Sequence, residues 1–226
     1  MNTQIRIKRG LAVAAYTLFY LVCFSLLEHR RVRYHIIDSR LDDQIPFCEY
    51  FIIPYFLWFL YIAVTVGYFL LFNEDNIEFW SLALNLCLGM TLFLIVSYVY
   101  PNGLNIRPTE FSKDTFFIRW VQFLYQTDTP TNVLPSIHVY NSIAAFSAIQ
   151  TSKKTQNHRG IRIGAFLLTV LIILSTLFLK QHSVPDVSIG ITCAVTTHIL
   201  FYSKVTAKDC IKQKQRSPLH QRDTHM

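Results

Sequence analysis

Residues 51–72 read FIIPYFLWFLYIAVTVGYFLLF, 22 residues from Phe51 to Phe72 without a charge. A bilayer's hydrocarbon core takes about 20 predominantly apolar residues of helix to cross, so this stretch predicts a membrane span. Working outward from it, Leu11–Leu27 and Trp80–Tyr100 meet the same requirement, and Ile163–Leu179 and Val187–Tyr202 meet it at near-minimal length. Val139–Ile149 is shorter and carries Asn141, Ser142 and Ser147; extended back to Leu134 it reads as a span facing the bundle interior. The expectation is an all-α, polytopic membrane protein: one domain over residues 1–226, folded as a six-transmembrane-helix bundle. In the third loop, Phe111–Tyr125 holds Phe116, Phe117, Trp120, Phe123 and Leu124, a pattern that predicts an amphipathic helix lying at the membrane interface.

Composition agrees with that class. Of 226 residues, 52% are hydrophobic and 15% charged, against about 25% charged in soluble domains. The net charge of +7 is first a matter of topology. With six spans, both termini and the loops near residues 73–79 and 150–162 share one side. That side holds 13 of the 21 Lys and Arg residues, so the positive-inside rule puts both termini in the cytoplasm, residues 1–10 as a short N-terminus and 204–226 as a basic tail. Anionic lipid accounts for the tail, and nucleic acid is not needed as a partner. Arg6, Lys8 and Arg9 before the first span resemble a signal-peptide start, but no small-residue cleavage site follows, so an uncleaved span is expected. The five cysteines are scattered, without a CxxC pair, and imply neither a disulfide framework nor a zinc site.

Most of the eight histidines sit in polar loops or the tail, and His198 in the last span reads as a structural, hydrogen-bonded residue. His138 and His182 differ, because each stands at the outer end of a span in polar company: Pro135-Ser136-Ile137-His138 and Lys180-Gln181-His182-Ser183-Val184-Pro185-Asp186. An aspartate four residues after a histidine can hold the imidazole in one tautomer and leave its other nitrogen nucleophilic. Pro135 and Pro185 mark helix starts, where free N–H groups, with the Ser136 hydroxyl, suit a phosphate oxygen. Arg107 and Lys180 add the cations a phosphoryl group needs. In the six-span topology these four separate pieces share the outer face.

In order and spacing, Arg107-Pro108, Pro135-Ser136-Ile137-His138, and Ser175 with His182-x3-Asp186 resemble the type 2 phosphatidic acid phosphatase superfamily. Its pattern is K-x6-R-P, P-S-G-H and S-R-x5-H-x3-D on six-helix membrane proteins. Asn132-Val133-Leu134, Lys180-Gln181 and Asp43-x-Ile45-Pro46-Phe47 are similar to its inositolphosphotransferase-like branch. Three positions depart from the pattern: Tyr100 stands where the first lysine is expected, Ile137 replaces the glycine, and Thr176 replaces the third-motif arginine. Lys180, one turn on from Thr176, is expected to restore a charge in space.

The resemblance implies an integral enzyme of the cell membrane, with its active site on the extracytoplasmic face, acting on membrane lipid phosphate or diphosphate esters without metal or cofactor. His182, oriented by Asp186, would form a phosphohistidine; His138 would be the acid and then the base; Arg107, Ser136 and Lys180 would bind the phosphate. Water as acceptor makes a phosphatase, and an alcohol makes a phosphotransferase. Two other readings stand beside these: zinc ligation by the histidines and the carboxylate, and a non-catalytic six-span lipid transporter or binding protein.

Overall fold

The computed structural model describes residues 3–216 and side chains as far as Tyr202, so the side chains of the basic tail from Lys204 lie outside the described residues. The chain is helical almost throughout. The α-helices are α1 (Thr3–Glu28), α2 (Ile52–Leu71), α3 (Asn76–Val99), α4 (Phe116–Thr127), α5 (Ile137–Thr151), α6 (Arg159–Phe178) and α7 (Val184–Arg216). Two-residue strands, β1 (His35–Ile36) and β2 (Asn102–Gly103), pair in parallel, a detail with no forewarning in the apolar pattern. Among the described residues five helical segments are long and apolar enough to cross a membrane: α1, Glu49–Leu71, α3, α6 and Val184–Tyr202 of α7. The chain therefore has the character of an integral membrane protein.

The stretch expected to form the fourth span behaves differently. α5 begins at Ile137, with Ser136 as its cap, and has 15 residues, about 22 Å of helix at 1.5 Å per residue. Ten of those residues are buried, His138, Asn141, Ser142 and Ser147 among them. It packs against α2, α3, α6 and α7, which explains its polar content: its neighbours are protein on nearly every side. α3 approaches it most closely at Gly89, where a Cβ would stand 1.9 Å from the Tyr140 ring, so no other residue fits there. The Tyr140 hydroxyl then reaches Asn85 Oδ1 at 2.6 Å and Thr197 Oγ1 at 2.9 Å, joining α3, α5 and α7.

Polar clasps close both ends of the bundle. At one end the buried Glu78 carboxylate accepts from Asn73 Nδ2 and Ser152 Oγ at 2.7 Å and from Lys153 N at 2.9 Å, so the α2–α3 and α5–α6 turns share one anion. Arg9 enters there, donating to Asn73 O at 2.7 Å and Asn76 Oδ1 at 2.8 Å, with its guanidinium over the Phe79 ring. At the other end Asn102 Oδ1 accepts from Val133 N at 2.8 Å and Leu134 N at 2.9 Å. That bond anchors the long third loop just before Pro135 and so sets where α5 starts.

In that loop α4 starts later than the expected Phe111, because Thr115 caps it by accepting from Ile118 N at 3.2 Å. Ile118, Val121 and Leu124 face inward, while Phe116, Trp120 and Phe123 are exposed. Phe111, left outside the helix, packs on Phe47 and Tyr125 instead.

Candidate active site

α5 and α7 start side by side. Ser136 N donates to Asp186 O at 3.3 Å, and Gly190 lets the helices close, since a Cβ there would meet Ser136 O at 3.0 Å. This junction brings His138, His182 and Asp186 together. His182 Nδ1 is 2.7 Å from Asp186 Oδ2, and His182 Nε2 is 3.3 Å from His138 Nδ1. The other Asp186 oxygen accepts from Ser183 Oγ at 2.9 Å and Val187 N at 3.1 Å, so the fully buried carboxylate has little freedom to turn.

An ionised Asp186 can only accept, which places the proton of a neutral His182 on Nδ1 and the lone pair on Nε2. His138 then donates from Nδ1 to that lone pair. The rings of Tyr55 and Trp58 lie 4.7 Å and 4.3 Å from the His138 ring, walling it on the α2 side. Because Asp186 holds the far nitrogen of His182, the three side chains do not converge on one point; among the described residues no group of three ligating side chains is placed to hold a metal ion.

The expected phosphate binders are arranged otherwise than the sequence suggested. Arg107 does reach this region: it donates from Nη1 to Asp128 O at 2.7 Å and from Nη2 to the side-chain oxygen of Gln181, the residue before His182. Its guanidinium also lies over the Tyr125 ring. Burial pulls the Arg107 pKa below the ordinary arginine value, and Asp128 opposes that shift. Ser136 is turned to its own helix, accepting from Val139 N at 3.4 Å. Lys180 points to the first loop, where Nζ donates to Asp42 O and Ile45 O, each at 2.5 Å. Of the departures from the motif, Thr176 is buried and donates to Ile173 O, and Tyr100 stacks on His35.

Two donors near the histidines lack an acceptor: Arg107 Nε and Gln181 Nε2 are buried with no hydrogen-bond partner among the described residues. Sequence reasoning passed over Gln181, although it sits inside the quoted motif. It also passed over Asp128, whose carboxylate accepts from Tyr55 Oη at 2.9 Å; a lone acid in a Thr-rich loop carries no periodic signal.

An apolar cleft of about 880 Å³ leads away from this site between α1, α2 and α3. α2 lines it from Tyr55 to Val66, about 17 Å of helix axis. His138, Asn141 and Asp128 stand at its polar end, so a long apolar group with one polar terminus matches its shape and chemistry. No protein-family model, curated protein or solved structure matches the chain.

Proposed function

We propose that the protein is an integral-membrane phosphatase that hydrolyses lipid phosphate or diphosphate esters through a phosphohistidine. One observation carries this reading: an Asp186-oriented His182 presents Nε2 to a second histidine, His138, at the head of an apolar cleft. The lipid chain lies in the cleft and the phosphate at the histidines. His182 Nε2 attacks phosphorus, the bond to the lipid or diphosphate oxygen breaks, and that oxygen takes a proton from His138, which enters the step as an imidazolium and leaves it neutral. His138, now a base, draws a proton from water as it attacks the phosphohistidine, which restores both rings. Arg107 Nε and Gln181 Nε2 are the donors free to meet phosphoryl oxygens, where preorganised N–H groups stabilise developing charge. In-line displacement sets the attacking nitrogen and leaving oxygen on opposite sides of phosphorus. Substrate therefore has to come between the imidazoles of His138 and His182 and break the hydrogen bond that joins them.

In this reading α5 is the fourth of six spans, α4 lies at the interface, both termini face the cytoplasm, and the site faces outward from the plasma membrane. A cysteine at Asn105, introduced on a cysteine-free background, is expected to react with a membrane-impermeant thiol reagent in intact cells. One at Asn157 is expected to react only after lysis; the reverse pattern turns the topology over.

A second reading is kept by a specific observation: Lys180 and most of Arg107 are already bonded to protein oxygens, which suits a lipid-binding protein without turnover. Phosphate release by the purified protein in detergent, from a panel of lipid phosphates and diphosphates, decides between them. Release is expected, and EDTA is expected to leave it unchanged; alcohol acceptors in parallel samples separate hydrolysis from transfer. No release from any member of the panel favours the binding protein.

A further inference from the structure

At the end of the bundle away from the histidine pair, a second cavity of about 780 Å³ opens where the last turn of α5, the start of α6 and the middle of α7 meet. Its lining divides by chemistry: Gln150, Arg159, Arg162 and His198 give it a polar side, and Ile163 and Phe166 an apolar one. Among the described residues no Asp or Glu lines it. Ile163 and Phe166 are each about half exposed, at 47% and 50%, so the apolar side is open to the surroundings of the bundle.

The cationic groups are placed against the grain of their helix. α6 has no acidic residue in its first turn and no side-chain cap at His158, yet Arg159 and Arg162 stand there, where the positive end of the helix dipole repels them. α3 shows the usual solution, with the Asp75 carboxylate accepting from Ile77 N and Glu78 N. Arg162 is aimed by its neighbour: Nε donates to Gln150 Oε1 at 2.6 Å, and Gln150 Nε2 returns a bond to Arg162 O at 3.4 Å. Across the cavity stands His198, whose buried Nδ1 has no hydrogen-bond partner among the described residues. Two arginines and an uncapped helix start around one space call for an anion, and the adjoining apolar face calls for hydrocarbon.

We propose that this cavity binds the phosphate group of an anionic phospholipid from the leaflet opposite the histidine pair. Arg159 and Arg162 hold the phosphate, and Ile163 and Phe166 cover the first carbons of a chain. The site stands apart from the proposed catalysis, since it shares no residue with the histidine cluster or its cleft.

The full-length protein in neutral detergent, titrated with phosphatidylglycerol and separately with phosphatidylcholine under native mass spectrometry, tests this. The first phosphatidylglycerol is expected to bind more tightly than phosphatidylcholine. Arg159→Gln is expected to weaken it about fivefold and the pair Arg159→Gln with Arg162→Gln about thirtyfold, taking one surface arginine at its ordinary worth toward anionic lipid. Phosphatidylcholine binding should not change. The residues from Lys204 onward are the same in every sample, so the tail contributes equally. An unchanged first binding constant in the pair overturns the proposal, and so does displacement of the lipid by an equal concentration of glycerol phosphate, which would make this a site for a soluble anion. Arg159 is exposed and has no hydrogen bond or ion pair among the described residues, so its single variant keeps the test open if the pair fails to fold.

Discussion

His182→Ala is expected to abolish the phosphoenzyme entirely, while His138→Ala is expected to let it accumulate. The geometry makes the two imidazoles unequal, because only His182 has its far nitrogen held by a carboxylate, at 2.7 Å. Removing His138 takes away the proton for the leaving oxygen, a loss of about 10²–10⁴ in turnover of alkyl phosphates. A substrate such as p-nitrophenyl phosphate departs without that proton, so His182 is still phosphorylated. Hydrolysis then lacks its base, and acid-labile, base-stable phosphate collects on His138→Ala protein. The same truncation frees Nε2 of His182, which His138 Nδ1 otherwise meets at 3.3 Å, so the first step should not slow for steric reasons. Radiolabel on His138, or full activity in either variant, removes the assignment.

Lys180→Met is expected to damage stability before it damages catalysis. The ammonium joins the first loop to the α6–α7 turn through Asp42 O and Ile45 O, and the Asp42 carboxylate in turn accepts from Val184 N at 2.7 Å, at the start of the helix that carries Asp186. Methionine would leave two carbonyls without their charged donor, at about 1–3 kcal/mol for each group left bare. Lys180 also has φ 53°, the left-handed conformation that ends many helices and that glycine adopts most easily. The side chain thus offsets a backbone cost of about 1–2 kcal/mol. Lys180→Gly loses the same bonds but relieves the backbone, so it should unfold at a higher temperature than Lys180→Met. Thermal unfolding of both variants in detergent checks the order. Equal midpoints, or a Lys180→Met protein as stable as the parent but with weakened phosphate binding, would return this lysine to the phosphate site.

The helical membrane class was legible because a 22-residue uncharged run such as Phe51–Phe72 admits few alternatives. The proximity of His138, His182 and Asp186 was legible from two helix-start motifs that topology places on the same side. Less legible was what each cation does. Arg107 is placed near phosphate by its charge and by the Arg107-Pro108 motif, and Lys180 by its charge and its place one turn on from Thr176, yet the atoms that take up their donors are mostly backbone carbonyls, and carbonyls have no signature in a sequence. Asn102 is another case: one amide organises the return of the third loop, and nothing about an Asn-Gly pair after a span distinguishes that duty from an ordinary turn. α5 carries only a weak span signal for a physical reason, since hydropathy measures what a helix offers to lipid and this helix is packed against α2, α3, α6 and α7.

That surrounding bears on how the chain is made. A segment holding Asn141, Ser142 and Ser147 among its buried residues has little affinity for hydrocarbon when it leaves the ribosome, and those side chains are enclosed by protein only once α3, α6 and α7 are beside it. Translation supplies α6 and α7 after α5. The helix that carries His138 is thus the one least able to find its place alone, and its packing waits for the two helices that follow it in the chain.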